Sequence, residues 1–86
     1  MHTTVYAQQV RTVRGRVQML ETGSERKQSL PSASIVVLEK MDSAFVKGTA
    51  SDKNGRFTLT YHPQKKKEYL LKVSFMGMQS FYRALG

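Results

Sequence analysis

Residues 52–61, DKNGRFTLTY, decide the fold of this chain. Asp52 can accept hydrogen bonds from backbone amides two residues further on, while Asn54 and Gly55 tolerate a positive φ angle at low cost. The six residues after this turn alternate between polar and apolar side chains, which is typical of a half-buried strand. The alternation places three apolar side chains on one face: Phe57, Leu59 and Tyr61. We therefore predict a hairpin in which residues 56–61 pair antiparallel with residues 45–50.

The same period of two recurs on both sides of this segment and is absent only from short polar connections. We predict six strands, with Ala33, Ile35 and Val37 on one face of the second. Residues 21–29 are polar and are interpreted as an exposed loop. No segment repeats apolar residues at helical spacing over a dozen residues, so the sequence predicts an all-β Greek-key sandwich. Its strands are expected at residues 13–19, 33–40, 45–50, 56–61, 69–75 and 79–83.

Length and composition limit what such a chain can do. Its 86 residues suffice for one domain, and 40% apolar residues with 23% charged residues favour a folded domain over a disordered tail. Cysteine is absent, which excludes disulfides, thiolate zinc sites and redox motifs. No run approaches the roughly 20 apolar residues of a membrane span. We assign residues 10–86 to the domain and residues 1–9 to a signal-peptide remnant or a disordered N-terminus.

Patterns that indicate catalysis or metal binding are also missing from the sequence. The two histidines, His2 and His62, stand apart, and no Gly-x-Ser-x-Gly elbow is present. The six carboxylates are mostly isolated in or beside predicted turns, so no acid and base pair can be proposed. The sequence therefore predicts a non-catalytic domain with no metal and no cofactor.

The formal charge of +8 favours an anionic partner, but most basic residues are dispersed along the predicted strands. Lys65, Lys66 and Lys67 form the one basic run, and Tyr82 has a strand phase opposite to that of Phe81. Nucleic acid is not favoured as a partner. If an anion or partner site exists, the candidate contacts are Arg56, Lys65, Lys66, Lys67 and Tyr82.

Four short motifs follow one another in a recognisable order. They are Val13-x-Gly15-x-Val17, Leu30-Pro31-x-Ala33-x-Ile35-x-Val37, Ser51-Asp52-x-x-Gly55-x-Phe57-x-Leu59 and Leu71-x-Val73-Ser74-Phe75-x-Gly77. Together they resemble the carboxypeptidase regulatory-like domain family over roughly residues 13–80. The resemblance implies a seven-stranded, prealbumin-like sandwich without catalytic residues.

The ending Ser74-Phe75-x-Gly77 is similar to a branch of the family found in Bacteroidetes. There such domains stand at the mature N-terminus of TonB-dependent outer-membrane transporters, including glycan importers, and of other surface proteins. The resemblance implies export to the periplasm or outer membrane, with the rest of a larger protein as partner. Two further readings stay open: a basic module that binds anionic glycan, lipid headgroup or nucleic acid, and an accessory domain of a peptidase.

The sequence departs from the family pattern in two places. Met78 stands where an aromatic residue usually follows the glycine, and family members continue for about another strand past the position of Gly86, so we expect the final family strand to be missing here. A sandwich without that strand exposes backbone groups and apolar surface along an edge. We therefore expect strand addition, a segment-swapped homodimer, or completion by a strand of the parent protein.

Overall fold

The computed structural model describes residues 9–20, 23 and 26–85, and these residues form only strands and connections. Of the predicted signal-peptide remnant or disordered N-terminus at residues 1–9, all but Gln9 lies outside the described residues, as does Gly86. No described segment is a helix of the length and apolarity needed to cross a membrane. The eight strands are β1 (Arg11–Arg16), β2 (Gln18–Leu20), β3 (Lys27–Ser29), β4 (Ser34–Glu39), β5 (Phe45–Ala50), β6 (Arg56–Tyr61), β7 (Tyr69–Ser74) and β8 (Phe81–Leu85).

The larger sheet has four antiparallel strands in the order β5-β4-β7-β8. Central strand β4 pairs with β5 on one side and with β7 on the other, and a β-bulge interrupts its pairing with β5 between Val37 and Leu38. A turn joins β7 to β8, in which Met78 N donates to Phe75 O and Gly77 adopts a φ of 78°. Among the described strands, β8 is therefore the last of the sheet, paired on one side and open on the other.

The facing sheet consists of β1 and β6, paired antiparallel from Arg11 opposite Tyr61 to Arg16 opposite Arg56. At Val17 the chain changes partners, because Val17 N donates to Gly55 O while Val17 O accepts from Leu30 N. Beyond this junction β2 pairs with β3 in a small ladder. The first predicted strand is thus divided at Val17 into β1 and β2.

A single apolar core lies between the two larger sheets. The predicted inward faces are confirmed: Ala33, Ile35 and Val37 are fully buried, as are Leu59 and Tyr61. The rings of Tyr61 and Tyr69 meet edge to face at 5.3 Å between centroids, the arrangement that aromatic pairs prefer. Burial of side chains from β4, β6 and β7 makes the protein an all-β sandwich, as predicted. The core residues are Ala33, Ile35, Val37, Leu59, Tyr61, Tyr69 and Leu71.

The predicted hairpin between residues 45–50 and 56–61 is wrong. Asp52, Asn54 and Gly55 do form a tight turn, but β5 pairs with β4 and β6 pairs with β1, so the turn joins the two sheets. The buried Ser51 hydroxyl explains the crossing, because it donates to Leu30 O at 2.7 Å and accepts from Ala33 N at 2.8 Å. These bonds hold Ser51, which follows β5, against the residues that precede β4, so the chain does not turn back to place β6 beside β5.

The loop predicted at residues 21–29 also needs a correction, because its last three residues form β3. Lys27 and Gln28 are exposed, so no apolar alternation marked this strand in the sequence. Its backbone is ordered by pairing with β2 and by the Leu30 N to Val17 O bond that follows it. The last predicted strand, residues 79–83, is found two residues later as β8.

Candidate interaction cleft

A cleft of about 730 Å³ opens between β1 and β8, along one side of the sandwich. It exists because the sheet of β1 and β6 has two strands and the facing sheet has four. Residues of β6 contribute to the core, whereas β1 lies further toward β8 and leaves the inner face of β8 uncovered. We call this feature the β1–β8 cleft.

Apolar side chains form the floor of the cleft. Because Phe81 pairs with Val73 and Leu85 with Tyr69, these β8 side chains share the inward face of their sheet. Phe81 is nevertheless 60% exposed. Across the cleft the Phe57 ring lies over Gly15, where an added Cβ would come within 2.8 Å of it. The floor comprises Val13, Phe57, Leu71, Val73, Phe81 and Leu85.

Among the described strands, only β6 pairs with β1, so the backbone of β1 borders the cleft as an open sheet edge. In an antiparallel ladder the N–H and C=O groups of successive residues point alternately toward and away from the partner strand. Val17 N donates to Gly55 O, which continues the β1–β6 register. Alternation then directs the backbone groups of Thr12, Arg14 and Arg16 away from β6, toward the open side of the sheet.

The charge around the cleft is entirely positive among the residues that line it. Arg14 and Arg16 lie on the outer face of β1, with Thr58 and Arg56 opposite them. Arg83 lies on the inward face of β8 between Phe81 and Leu85, opposite the buried Leu71. The two ion pairs found within the described residues, Lys40–Glu68 and Lys67–Glu39, are both elsewhere.

The predicted anion contacts do not meet at one place. Arg56 begins β6 beside Arg16 at one end of the two-stranded sheet, while residues 65–67 follow the other end of β6. A strand of six residues separates these groups by about 20 Å at roughly 3.3 Å per residue. Arg56 and the lysine run are therefore two separate features.

The lysine run faces carboxylates as well as solvent. Lys67 Nζ donates to Glu39 Oε1 at 2.8 Å, and Lys40 Nζ lies 3.2 Å from Glu68 Oε2. The hydrogen bond from Lys67 to Glu39 raises the pKa of that lysine. Lys65 and Lys66 border the same hollow, so its charge is mixed. This geometry favours a local ion-pair cluster over a site for an added anion.

Tyr82 lies on the outer face of β8, where it pairs with Lys72 of β7. The Lys72 Nζ atom is 5.9 Å from the centroid of the Tyr82 ring, within cation–π range. Tyr82 and Phe81 point to opposite faces as predicted, yet both are more than half exposed. The Tyr82 side chain therefore points away from the cleft floor.

The turn at Asp52 is held by its own side chain. Asp52 Oδ1 accepts from Asn54 N at 2.8 Å and from Arg56 N at 2.9 Å. Both backbone hydrogen bonds lower the pKa of the Asp52 carboxyl group, and the bond from the Arg56 amide has the larger effect. Gly55 is required here because its φ is 76° and an added Cβ would lie 2.6 Å from Val17 O.

Among the described residues, no group of three or more histidine, aspartate or glutamate side chains is placed to hold a metal ion. The chemistry that the described surface offers is backbone hydrogen bonding, apolar contact and positive charge. These three combine at the β1–β8 cleft.

This geometry defines a class of domain, namely an all-β sandwich of two antiparallel sheets with one open side. Residues 13–85 match the CarboxypepD_reg-like domain family, so the chain belongs to that family. Domains of this family are prealbumin-like, regulatory and non-catalytic. Comparison with curated proteins and with solved structures finds no match to this chain.

Sequence reasoning did not identify the cleft, although one signal for it was present. Residues 81–85 alternate Phe81, Arg83 and Leu85 on one face, which places a charged side chain in an apolar phase. Such a residue is unusual in a closed sandwich, since buried charges require partners. It indicates a face of β8 that the core does not cover.

Proposed function

We propose that this domain is a non-catalytic interaction or spacer module of a larger outer-membrane or cell-surface protein. The observation behind the proposal is the β1–β8 cleft, in which an open strand edge adjoins exposed apolar side chains. Sheet edges of this kind bind extended segments through main-chain hydrogen bonds. Membership of a regulatory, non-catalytic family supports the same role.

The specific setting that we propose is the N-terminal extension of a TonB-dependent nutrient transporter, with export to the periplasm or outer membrane. The support is the resemblance of the four ordered motifs, and of Ser74-Phe75-x-Gly77 in particular, to the Bacteroidetes branch of the family. In this setting the domain presents sheet faces and edges to the rest of the transporter or to its partners.

The source gene offers a direct test. We expect the reading frame after residue 86 to encode a plug and a barrel, and the tagged full-length protein to fractionate with the outer membrane. Deletion of residues 10–86 from that protein should impair nutrient uptake while leaving the barrel in the membrane. A stop codon directly after Gly86, or a protein that stays in the cytoplasm, would overturn the proposal.

A basic module for anionic glycan, lipid headgroup or nucleic acid is the second candidate. Arg14, Arg16 and Arg56 on one outer sheet face favour it. An electrostatic binder of this kind should lose affinity steeply between low and physiological salt. Binding of a polyanion such as heparin that is unchanged over this range would exclude it.

A further inference from the structure

We propose that the β1–β8 cleft binds an extended partner segment in which apolar and acidic side chains alternate. The segment adds to the open edge of β1 as a third strand of the β1–β6 sheet. This inference rests on the proposed role as an interaction module, and it specifies the surface and the chemistry of the partner.

The position of the cleft determines which side of the segment is apolar. A strand next to β1 would lie above the inner face of β8, where Phe81 is 60% exposed and Leu71 and Val73 form the floor. Side chains of a strand point alternately to the two faces of its sheet. Every second side chain of the segment would therefore enter the cleft and meet apolar atoms.

The arginines of β1 determine which side chains the segment should carry on the outer face of the sheet. On the outer face, neighbours across the strand pair would be Thr12, Arg14 and Arg16. Cross-strand pairs of opposite charge stabilise a sheet and pairs of like charge destabilise it. Arg83 on the inward face of β8 adds a further positive charge, and no acidic residue lines the cleft within the described parts of the chain. Charge complementarity thus selects acidic side chains.

The backbone supplies the remaining interactions. The open-edge N–H and C=O groups of Thr12, Arg14 and Arg16 point toward the incoming strand, as derived from the bond between Val17 and Gly55. Cleft residues 11–18 span about 26 Å at roughly 3.3 Å per residue. A segment of six to eight residues would match this length, on the order of one ordinary strand.

Binding can be tested with capped nine-residue peptides on the purified chain. One peptide alternates valine and glutamate, and the control alternates valine and lysine. We expect the chain to bind the glutamate peptide. The lysine peptide should bind at least about tenfold more weakly, because like charges would then meet across the strand pair. Equal binding of both peptides, or binding of neither, would overturn the proposal.

Two substitutions at one position separate backbone from charge. Arg14→Pro removes an N–H that the β1–β6 ladder does not use, so an edge strand should tolerate it. It should weaken glutamate-peptide binding by about tenfold or more, because strand addition needs that donor. Arg14→Ala keeps the donor and should weaken binding by only about two- to fivefold. Equal losses for the two variants would contradict strand addition.

Amide exchange on the unsubstituted chain provides a test that does not depend on variant folding. The glutamate peptide should slow exchange at Thr12, Arg14 and Arg16 and leave Val13 and Gly15 unchanged. Protection of the three amides in the free chain, together with a dimer in sedimentation, would instead identify a second copy as the occupant and refute the proposal. Neither result depends on the cellular location, so the proposed function can fail independently.

Discussion

At the scale of single residues, the two buried tyrosines make the same ring contact but differ in the environment of their hydroxyl groups. The Tyr69 hydroxyl accepts a hydrogen bond from Gln64 N at 2.9 Å. The Tyr61 hydroxyl is buried and has no hydrogen-bond partner among the described residues. A buried polar group without a partner is unfavourable. The environment of Tyr61 therefore suits an apolar ring better than a ring that carries a hydroxyl group.

This difference predicts opposite results for the same substitution. Tyr61→Phe should leave the free energy of unfolding unchanged or raise it by up to about 1 kcal/mol, since it removes only an unpaired hydroxyl. Tyr69→Phe should lower it by about 1 kcal/mol, because Gln64 N loses its acceptor. Urea denaturation of both variants measures the two changes. A larger loss for Tyr61→Phe than for Tyr69→Phe would contradict the hydrogen bonding described for the pair.

Asp52 gives the protein an acid-sensitive turn. Its folded-state pKa lies below the ordinary value of 3.8 because the carboxylate accepts the amides of Arg56 and Asn54. A depressed pKa stabilises the fold above the unfolded-state pKa, and this stabilisation is lost as pH falls through the folded-state value. We expect unfolding stability to decline below about pH 3.8 partly through this group.

Asp52→Asn is the matched variant for this effect. The amide keeps an oxygen acceptor but does not titrate, so the variant should be less stable than the parent at pH 7 and should approach it at low pH. Thermal melting from pH 7 down to pH 2 measures the difference. A stability gap that stays constant across this range would show that Asp52 does not act through its charge.

At the scale of elements, Gly55 fixes the corner between the two sheets. Its φ of 76° and the short distance from an added Cβ to Val17 O leave no room for a side chain. Gly77, in the turn between β7 and β8, has a similar φ of 78° but has no atom within 4 Å of an added Cβ. The two glycines therefore share the left-handed backbone conformation and differ in whether a side chain would clash there.

Alanine substitution at the two positions isolates the clash. Gly77→Ala should cost about 1 kcal/mol for the left-handed backbone alone. Gly55→Ala should cost about 3 kcal/mol or more, because the added methyl group would also clash with Val17 O and disturb the hydrogen bond that this oxygen accepts from Leu30 N. Chemical denaturation of both variants decides the comparison. Equal costs would indicate that the corner can move to accommodate a methyl group.

At the scale of the whole molecule, stability should be uneven across the sandwich. Strands β4 and β7 are central in the larger sheet and contain half of the buried apolar side chains: Ile35, Val37, Tyr69 and Leu71. Strands β2 and β3 form a three-residue ladder with mostly exposed side chains. Few buried apolar contacts and exposed backbone bonds characterise regions that open locally.

Amide hydrogen exchange measures this distribution. We expect the slowest exchange at Ile35, Val37 and Leu71, near the limit set by global unfolding, and exchange at least about tenfold faster in β2 and β3. Slow exchange in the small ladder, equal to that of β4, would contradict the description of β2 and β3 as a weakly attached extension.

The strands and their inward faces could be predicted because they depend on local alternation. Residues 45–50 and 56–61 were predicted as strands with the observed bounds, and the buried faces of β4 and β6 follow the period of two. Sheet partners could not be predicted in the same way. The pairing of β6 with β1 depends on the Ser51 and Val17 bonds, which join residues far apart in the sequence.

The candidate cleft was even harder to predict from the sequence than the sheet partners. It results from the difference in width between two sheets, a property of topology rather than of any segment. The predicted contacts Arg56, residues 65–67 and Tyr82 were selected for charge and exposure, and the fold distributes them over three surfaces. The alternation at Phe81, Arg83 and Leu85 was the informative pattern, but its meaning depends on knowing that no described strand covers the inward face of β8.

The cleft is bordered by the first and the last strand that the structure describes. These two strands belong to different sheets and share no ladder, so no strand pairing joins the two sheets on this side of the described sandwich. A segment hydrogen-bonded to β1 and packed on β8 would connect the two strands, and with them the two sheets. Occupancy would then resist a pulling force that separates the sheets, which makes the cleft a point where binding can change the mechanical stiffness of the module.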